Sequence, residues 1–304
     1  MKNVGNVTVG VDFSDASVAA LREAARIAAW GDATLHITHT VSEREIEDRQ
    51  KFRTIPLDDL LAKVREQLRS FAMGALDTHP AVEFHLSLGQ VFPDVLRVVG
   101  ETGSGLLVMG AYGMGGVPDR TGMVATKCVR KAPVPVLLVR KEHTEPFRRV
   151  VACTDFSETA KRASTMAAQI ALQDGADFHL LHVHCPPWLN QGFMVYDFVP
   201  EIWDAGYQSE YRSGLESQLE GAVESLRSEY PGLSVVSKLL EHSHDAYGIV
   251  GYIRERGADL VVLGTRGRTG LKKLLLGTTA ERIVSESPCS VLAVKPEGFT
   301  YEVG

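Results

Sequence analysis

Leu260-Val-Val-Leu-Gly264-Thr-Arg-Gly267-Arg268-Thr-Gly-Leu-Lys-Lys-Leu-Leu-Leu-Gly277-Thr278-Thr279 is the stretch from which the rest of the chain is best read. Its short apolar run, rich in β-branched residues, predicts a buried strand. Gly264 and Gly267 break that strand into a loop, and Gly277-Thr278-Thr279 opens a helical pattern. Strand, glycine loop and helix N-terminus in this order suit an anion. Glycine lets the backbone approach a ligand closely, and the free N–H groups and dipole of a helix start attract negative charge. Arg268 would add a charge-assisted hydrogen bond. The plainer alternative is a strand-to-helix turn whose glycines only permit tight geometry. The stretch is neither a Walker A loop, since no Gly-Lys-Ser/Thr follows, nor the G-x-G-x-x-G dinucleotide fingerprint.

Working outward, the same pattern occurs twice. Val150-Val-Ala-Cys153-Thr154-Asp155-Phe-Ser157 repeats Asn6-Val-Thr-Val-Gly-Val-Asp12-Phe-Ser14, with Asp155 lying 143 residues beyond Asp12. His179 and His182 repeat His36 and His39 at that offset. Gly105-Leu-Leu-Val-Met-Gly110-Ala-Tyr-Gly113 matches Asp259-Leu-Val-Val-Leu-Gly264-Thr-Arg-Gly267, and Ala132-Pro-Val-Pro-Val-Leu-Leu-Val139 matches Ser287-Pro-Cys-Ser-Val-Leu-Ala-Val294. The chain is two copies of one unit. Its 304 residues suit two domains of about 150 each. The polar, proline-containing run from Arg140 to Arg149 reads as the linker, giving expected domains at 1–141 and 148–297. Each half alternates strand and helix, which predicts a parallel sheet covered on both faces. In such sheets ligands sit beyond the carboxyl ends of the strands, where the strand order reverses. Asp155, Val183 and the Gly264 loop all follow strands.

Composition narrows the function classes. At 44% hydrophobic and 23% charged the chain is an ordinary globular one. A formal charge of −6 with no basic block argues against a nucleic-acid partner. No apolar run approaches the roughly 18 residues of a membrane span, and Met1-Lys-Asn-Val-Gly5 lacks a signal peptide's apolar region, so the expected location is the cytoplasm, without a membrane partner. Cys128, Cys153, Cys185 and Cys289 form no C-x-x-C pair and are expected to be reduced thiols.

The spacing of two glycines three apart, nine further residues and then Gly-Thr resembles the nucleotide-binding motif of the universal stress protein family, G-x-x-G-(nine residues)-G-S/T. The likeness covers essentially the whole chain, twice. It implies two tandem flavodoxin-like, adenine nucleotide alpha hydrolase-like α/β domains, with ATP as cofactor, Mg²⁺ riding on its phosphates, and a nucleotide-responsive regulatory or protective role in stress response. By carry-over, Cys153, Thr154 and Asp155 would flank adenine and ribose, and Val183 would offer backbone groups to the adenine edge. Gly264, Gly267, Arg268, Gly277, Thr278 and Thr279 would hold the phosphates. Read from chemistry alone, Asp155 is equally a helix-capping acid.

The first half departs from this pattern. Only eight residues separate Gly113 from Gly122, Met123 stands where the family has a hydroxyl, and the loop holds Pro118 and Asp119. Proline contributes no N–H and a carboxylate repels phosphate, so a weakened site and one ATP per chain are expected. The terminal strands, Val134 to Val139 and Ser290 to Val294, read as sheet edges through which family members often join. They imply pairing of the two halves as a pseudo-dimer and leave a homodimer of whole chains open. A regulated protein partner is the remaining partner class.

Other chemistry is poorly supported. No G-x-S-x-G elbow or acidic metal pair is legible, so no catalytic residue is assigned and any ATP hydrolysis would be slow. His182, His184 and Cys185 leave one strand, while Glu241, His242, His244 and Asp245 leave the next, a mixed set that suits zinc. The alternative is packing, since His179 and His182 have repeat partners. The polar helical stretches Leu57 to Leu76 and Glu201 to Glu229 are expected to face the core or another subunit. A competing reading of the whole chain is a scaffold or non-nucleotide binder, with Trp188, Phe193, Tyr196 and Trp203 lining a pocket or an interface.

Overall fold

The computed structural model describes residues 5–42, 46, 56–76, 80–113, 121–140, 143, 145–189, 204–267 and 276–300. Arg268, Pro118, Asp119, Phe193, Tyr196 and Trp203 lie outside the described residues. The chain divides into two compact units, Met1–Glu145 with Gly298–Gly304, and Pro146–Glu297.

In the first unit the strands are β1 (Val7–Gly10), β2 (Leu35–Val41), β3 (Val82–Leu88), β4 (Leu106–Gly110) and β5 (Val136–Val139). All pair in parallel in the order β3-β2-β1-β4-β5. The connecting helices are α1 (Asp15–Ala29), α2 (Leu57–Ala75), α3 (Val91–Glu101) and α4 (Met123–Lys131). The second unit repeats this with β6 (Arg149–Cys153), α5 (Glu158–Asp174), β7 (Asp177–His184), α6 (Ala205–Glu229), β8 (Val235–Glu241), α7 (Asp245–Arg256), β9 (Leu260–Gly264), α8 (Thr278–Glu286) and β10 (Ser290–Val294). Its parallel order is β10-β9-β6-β7-β8. In each unit the first strand has the second on one side and the fourth on the other, so the order reverses there.

The inner strands are buried on both faces, which is why they read as continuous apolar runs: all residues of β2 and Val150 to Cys153 of β6 are buried. The helices differ according to what they cover. In α6 the buried side chains are Leu215, Leu219, Val223 and Leu226, one per turn along a single stripe, and most of the rest of this polar helix is exposed. In α2 the stripe is Leu60, Val64, Leu68, Ala72 and Ala75. Both long helices therefore face their own cores. Alanine-rich α1 and α5 instead lie close on the sheet. A Cβ at Gly110 would fall 2.8 Å from Cβ of Ala16, and one at Gly264 would fall 2.9 Å from Cγ2 of Thr159, so only glycine at the end of β4 or β9 lets the helix approach this far.

Among the described residues, no helix is long and apolar enough to cross a membrane. All four cysteines are free thiols.

Candidate functional site

The Asp-Phe-Ser turn after the first strand of each unit is built on the same plan. Phe156 adopts φ +63°, a left-handed conformation rare for a bulky side chain, as does Phe13 at +64°. Such strain costs about 1–3 kcal/mol and persists only where the surroundings impose it. Here Oδ1 of Asp155 accepts hydrogen bonds from the Ser157 amide at 3.1 Å and its hydroxyl at 2.6 Å, while the Ser157 side chain caps α5 by accepting from the Ala160 amide. The Phe156 ring packs 4.4 Å from the ring of His182, whose Nδ1 lies 2.7 Å from the carbonyl oxygen of Thr154. In the first unit Phe13 and His39 do the same, with 4.6 Å between rings and 2.7 Å from His39 Nδ1 to the Val11 carbonyl. His39 and His182 therefore serve the turn.

The second unit's turn forms one wall of a cleft of about 480 Å³ at the carboxyl ends of β6, β7 and β9, where the strand order reverses. Cys153, Thr154, Asp155, Val183, Gly264, Gly267, Gly277, Thr278 and Thr279 all line it. These sequence-nominated residues come from four separate segments and converge on one space.

Each position has a geometric reason. Thr154 closes the end of β6 by donating its amide to the Leu181 carbonyl. Strand residues alternate in the neighbour their backbone faces. Val183, two beyond Leu181, thus turns its backbone groups to the β6 side, where β6 has already ended at Cys153. Gly267 passes directly over the acid: a Cβ there would fall 2.7 Å from Oδ2 of Asp155. The loop returns to the sheet at Gly277, whose amide donates to the Thr265 carbonyl at 2.9 Å, and Thr265 in turn donates its amide to Val294. Gly277 is the N-cap of α8 and carries no side-chain cap, so the first-turn amides of this helix are left to the cleft.

Asp245 at the start of α7, read from the sequence only as part of a zinc set, also lines the cleft, as do Thr265, Arg266 and the apolar Leu181, Ile249, Leu263, Ala280 and Ile283, which sequence reasoning missed. Burial raises the Asp245 carboxyl above its ordinary range against the pull of His182, His184, His242 and His244. Burial pushes the Cys153 thiol up to about 12, with the Cys289 thiol adding to it, so it is a neutral, unreactive wall. Arg266 is the described cation of the loop.

The zinc set nominated in this unit does not assemble. Among the described residues, His182, His184, Cys185, His242 and His244 bring no three donor atoms within ligand distance of one another. His182 is held on Thr154, its ring stacks on that of His184 with centroids 5.9 Å apart, and the His242 ring accepts from the His244 amide at 3.0 Å.

The first unit's corresponding region differs in its walls. Gly10 and Met109 stand where Cys153 and Leu263 stand, and a Cβ at Gly10 would touch the Met109 side chain at 3.5 Å. At the start of α4, Met123 is 83% exposed where Thr278 opens α8.

The fold and cleft define a tandem doubly wound α/β protein with a glycine-lined site at the switch point of its second unit. A family model described as the universal stress protein family matches residues 3–140 and 146–295, and the chain belongs to that family. It is 25% identical over 317 residues to a universal stress protein of Mycobacterium tuberculosis, covering 96% of this chain and 95% of that one. To a universal stress protein of Thermus aquaticus it is 31% identical over 152 residues, 49% of this chain and 99% of the relative. To the universal stress protein E homolog of Haemophilus influenzae it is 30% identical over 181 residues, which span 55% of this chain and about half, 54%, of that relative. Among solved structures, a universal stress protein from Archaeoglobus fulgidus matches with a TM-score of 0.62 at 17% identity, over 96% of this chain and 98% of that one, a likeness of fold.

Proposed function

We propose that the second unit binds ATP, with Mg²⁺ on its phosphates, and that the chain acts as a nucleotide-responsive regulator in the cytoplasm. The observation that carries this reading is the convergence of Asp155, Val183, Gly264, Gly267 and the uncapped start of α8 on one cleft. Adenine would lie on the Cys153 and Leu263 side, against the backbone of Val183. The ribose hydroxyls would meet Asp155. The phosphates would rest on the Gly264–Gly267 backbone and the amides after Gly277, where the helix dipole favours negative charge. Arg266, and Arg268 further along the loop, would supply charge-assisted hydrogen bonds. The first unit, with Met123 exposed at its helix start, would bind nucleotide weakly, giving one ATP per chain.

The regulatory role would follow from linkage: a ligand shifts a conformational equilibrium only by its differential affinity for the two states. ATP binding would favour one arrangement of the loop after Gly264, and a protein partner or a second copy of the chain would read that surface.

Equilibrium titration of the full chain with Mg-ATP tests the assignment. One site per chain, lost in Gly277→Val, is the expected result. Two sites would overturn the reading of the first unit, and none would leave the scaffold or alternative-ligand reading in its place. Phosphate release dependent on Asp155 would add a slow ATPase activity.

A further inference from the structure

The first unit carries a second, chemically different constellation on β2 and β3. His36 pairs in register with Glu83, and Thr38 with His85, so Glu83 and His85, two apart on the edge strand, share a face with His36. Nδ1 of His36 lies 3.1 Å from Nε2 of His85 and 3.3 Å from a carboxylate oxygen of Glu83, and all three donor atoms lie within 4.8 Å of one another. Among the described residues this is the one group of three metal-ligand side chains so placed. We propose that His36, Glu83 and His85 form a binding site for a divalent transition metal of the zinc class, on the edge of the first unit's sheet and apart from the nucleotide cleft.

The spacing fits such an ion. Zinc bonds of about 2.0–2.1 Å to nitrogen or oxygen in tetrahedral geometry put neighbouring donor atoms about 3.3 Å apart. The two distances from His36 match that edge. Two imidazoles and one carboxylate also leave a fourth position for water or a second ligand. Without an ion, Nδ1 of His36 faces both Nε2 of His85 and the Glu83 carboxylate, and whichever ring carries the proton, one hydrogen serves only one of the two contacts. Glu83 is 63% exposed, which gives a hydrated ion a way in.

The internal repeat supplies a control. In the second unit His179 occupies the place of His36, but Val236 is its register partner and Lys238 stands where His85 does. Nδ1 of His179 is engaged by the Tyr252 hydroxyl at 2.8 Å. Val98 holds the corresponding place on α3, five residues before the left-handed Gly103 as Tyr252 is five before Gly257, so His36 meets no hydroxyl there. The constellation belongs to the first unit alone. Nε2 of His36 is buried without a hydrogen-bond partner, and a metal-bound histidine ordinarily donates that proton to an outer-shell group whose loss costs about 10–100-fold in affinity. Binding is therefore expected in the micromolar rather than the nanomolar range.

The test uses the full chain purified without an affinity tag, stripped with a chelator and free of nucleotide. Equilibrium dialysis against Zn²⁺ with elemental analysis should return one ion per chain, and Co²⁺ should give the intense visible absorption of a tetrahedral centre. His85→Gln, on the edge strand, should weaken binding at least tenfold and abolish the Co²⁺ spectrum while circular dichroism stays unchanged. His242→Gln, in the second unit, should leave both intact. Less than one ion per chain at saturation, or His85→Gln binding as the wild type does, overturns the site.

Discussion

Gly267 and Asp155 are in such close apposition that the smallest side chain at 267 would come within 2.7 Å of the aspartate's Oδ2. The acid that follows β6 and the loop that follows β9 thereby share one surface. Gly113 stands to Asp12 in the same way in the first unit.

Gly267→Ala is expected to displace the Asp155 carboxylate and to lower ATP affinity at least tenfold, about 1.4 kcal/mol. Because the loop is at the surface and the Ser157 cap of α5 remains, the melting temperature should move little. Titration and a thermal melt on the same preparation check both halves of the statement; unaltered affinity would refute the proposed placement of the ribose.

Gly264 and Gly277 separate packing from ligand approach. At 264 an added Cβ meets Thr159 at 2.9 Å and the Ala160 amide at 3.4 Å, so Gly264→Ala should destabilise the second unit by about 1–3 kcal/mol through overpacking. At 277 the nearest atom is 3.7 Å away, and Gly277→Ala should cost no more than about 1 kcal/mol, the difference between glycine and alanine at an N-cap. Urea denaturation distinguishes them.

Glu23 is 2% exposed, with Arg26 2.6 Å and His143 3.1 Å from its carboxylate oxygens. Burial would raise its pKa, but the hydrogen bonds from His143 and Arg26 outweigh it, and the carboxyl sits below the ordinary value of 4.5. A folded-state pKa below the unfolded one adds stability that is fully present above about pH 4.5 and is lost as pH falls through the depressed value. Glu23→Gln should therefore cost about 1.5–3 kcal/mol at pH 7, and the gap from wild type should close on acidification. A gap that does not change with pH would refute the ionised role.

Tyr252→Phe should leave the buried Nδ1 of His179 without its partner and cost about 1–2 kcal/mol in urea melts. Tyr207→Phe, at an exposed position on α6, should change stability by less than about 0.5 kcal/mol.

Much of this could be read locally. The Asp-Phe-Ser turn, the glycine spacing and the 143-residue offset all lie in short segments whose periodicity and capping are properties of neighbouring residues, so the strands and helix starts that flank these segments occur near where the sequence places them. The two long polar helices were ambiguous because one buried residue per turn also suits a subunit contact. Only their packing against their own sheets resolved them.

By itself, then, the amino-acid order determined two alternating α/β units, and its resemblance to a family motif pointed to the nine residues Cys153, Thr154, Asp155, Val183, Gly264, Gly267, Gly277, Thr278 and Thr279 that line the cleft. Tertiary structure decided which side chains share a space. It brought Asp245 and Arg266 into the cleft, dispersed the histidines of the second unit, and gathered His36, Glu83 and His85 in the first. The physical reason is register: a strand's pattern says which residues share its face, but the partner strand and its offset are set by non-local packing, and a slip of one residue would turn Glu83 and His85 to the opposite side of the sheet.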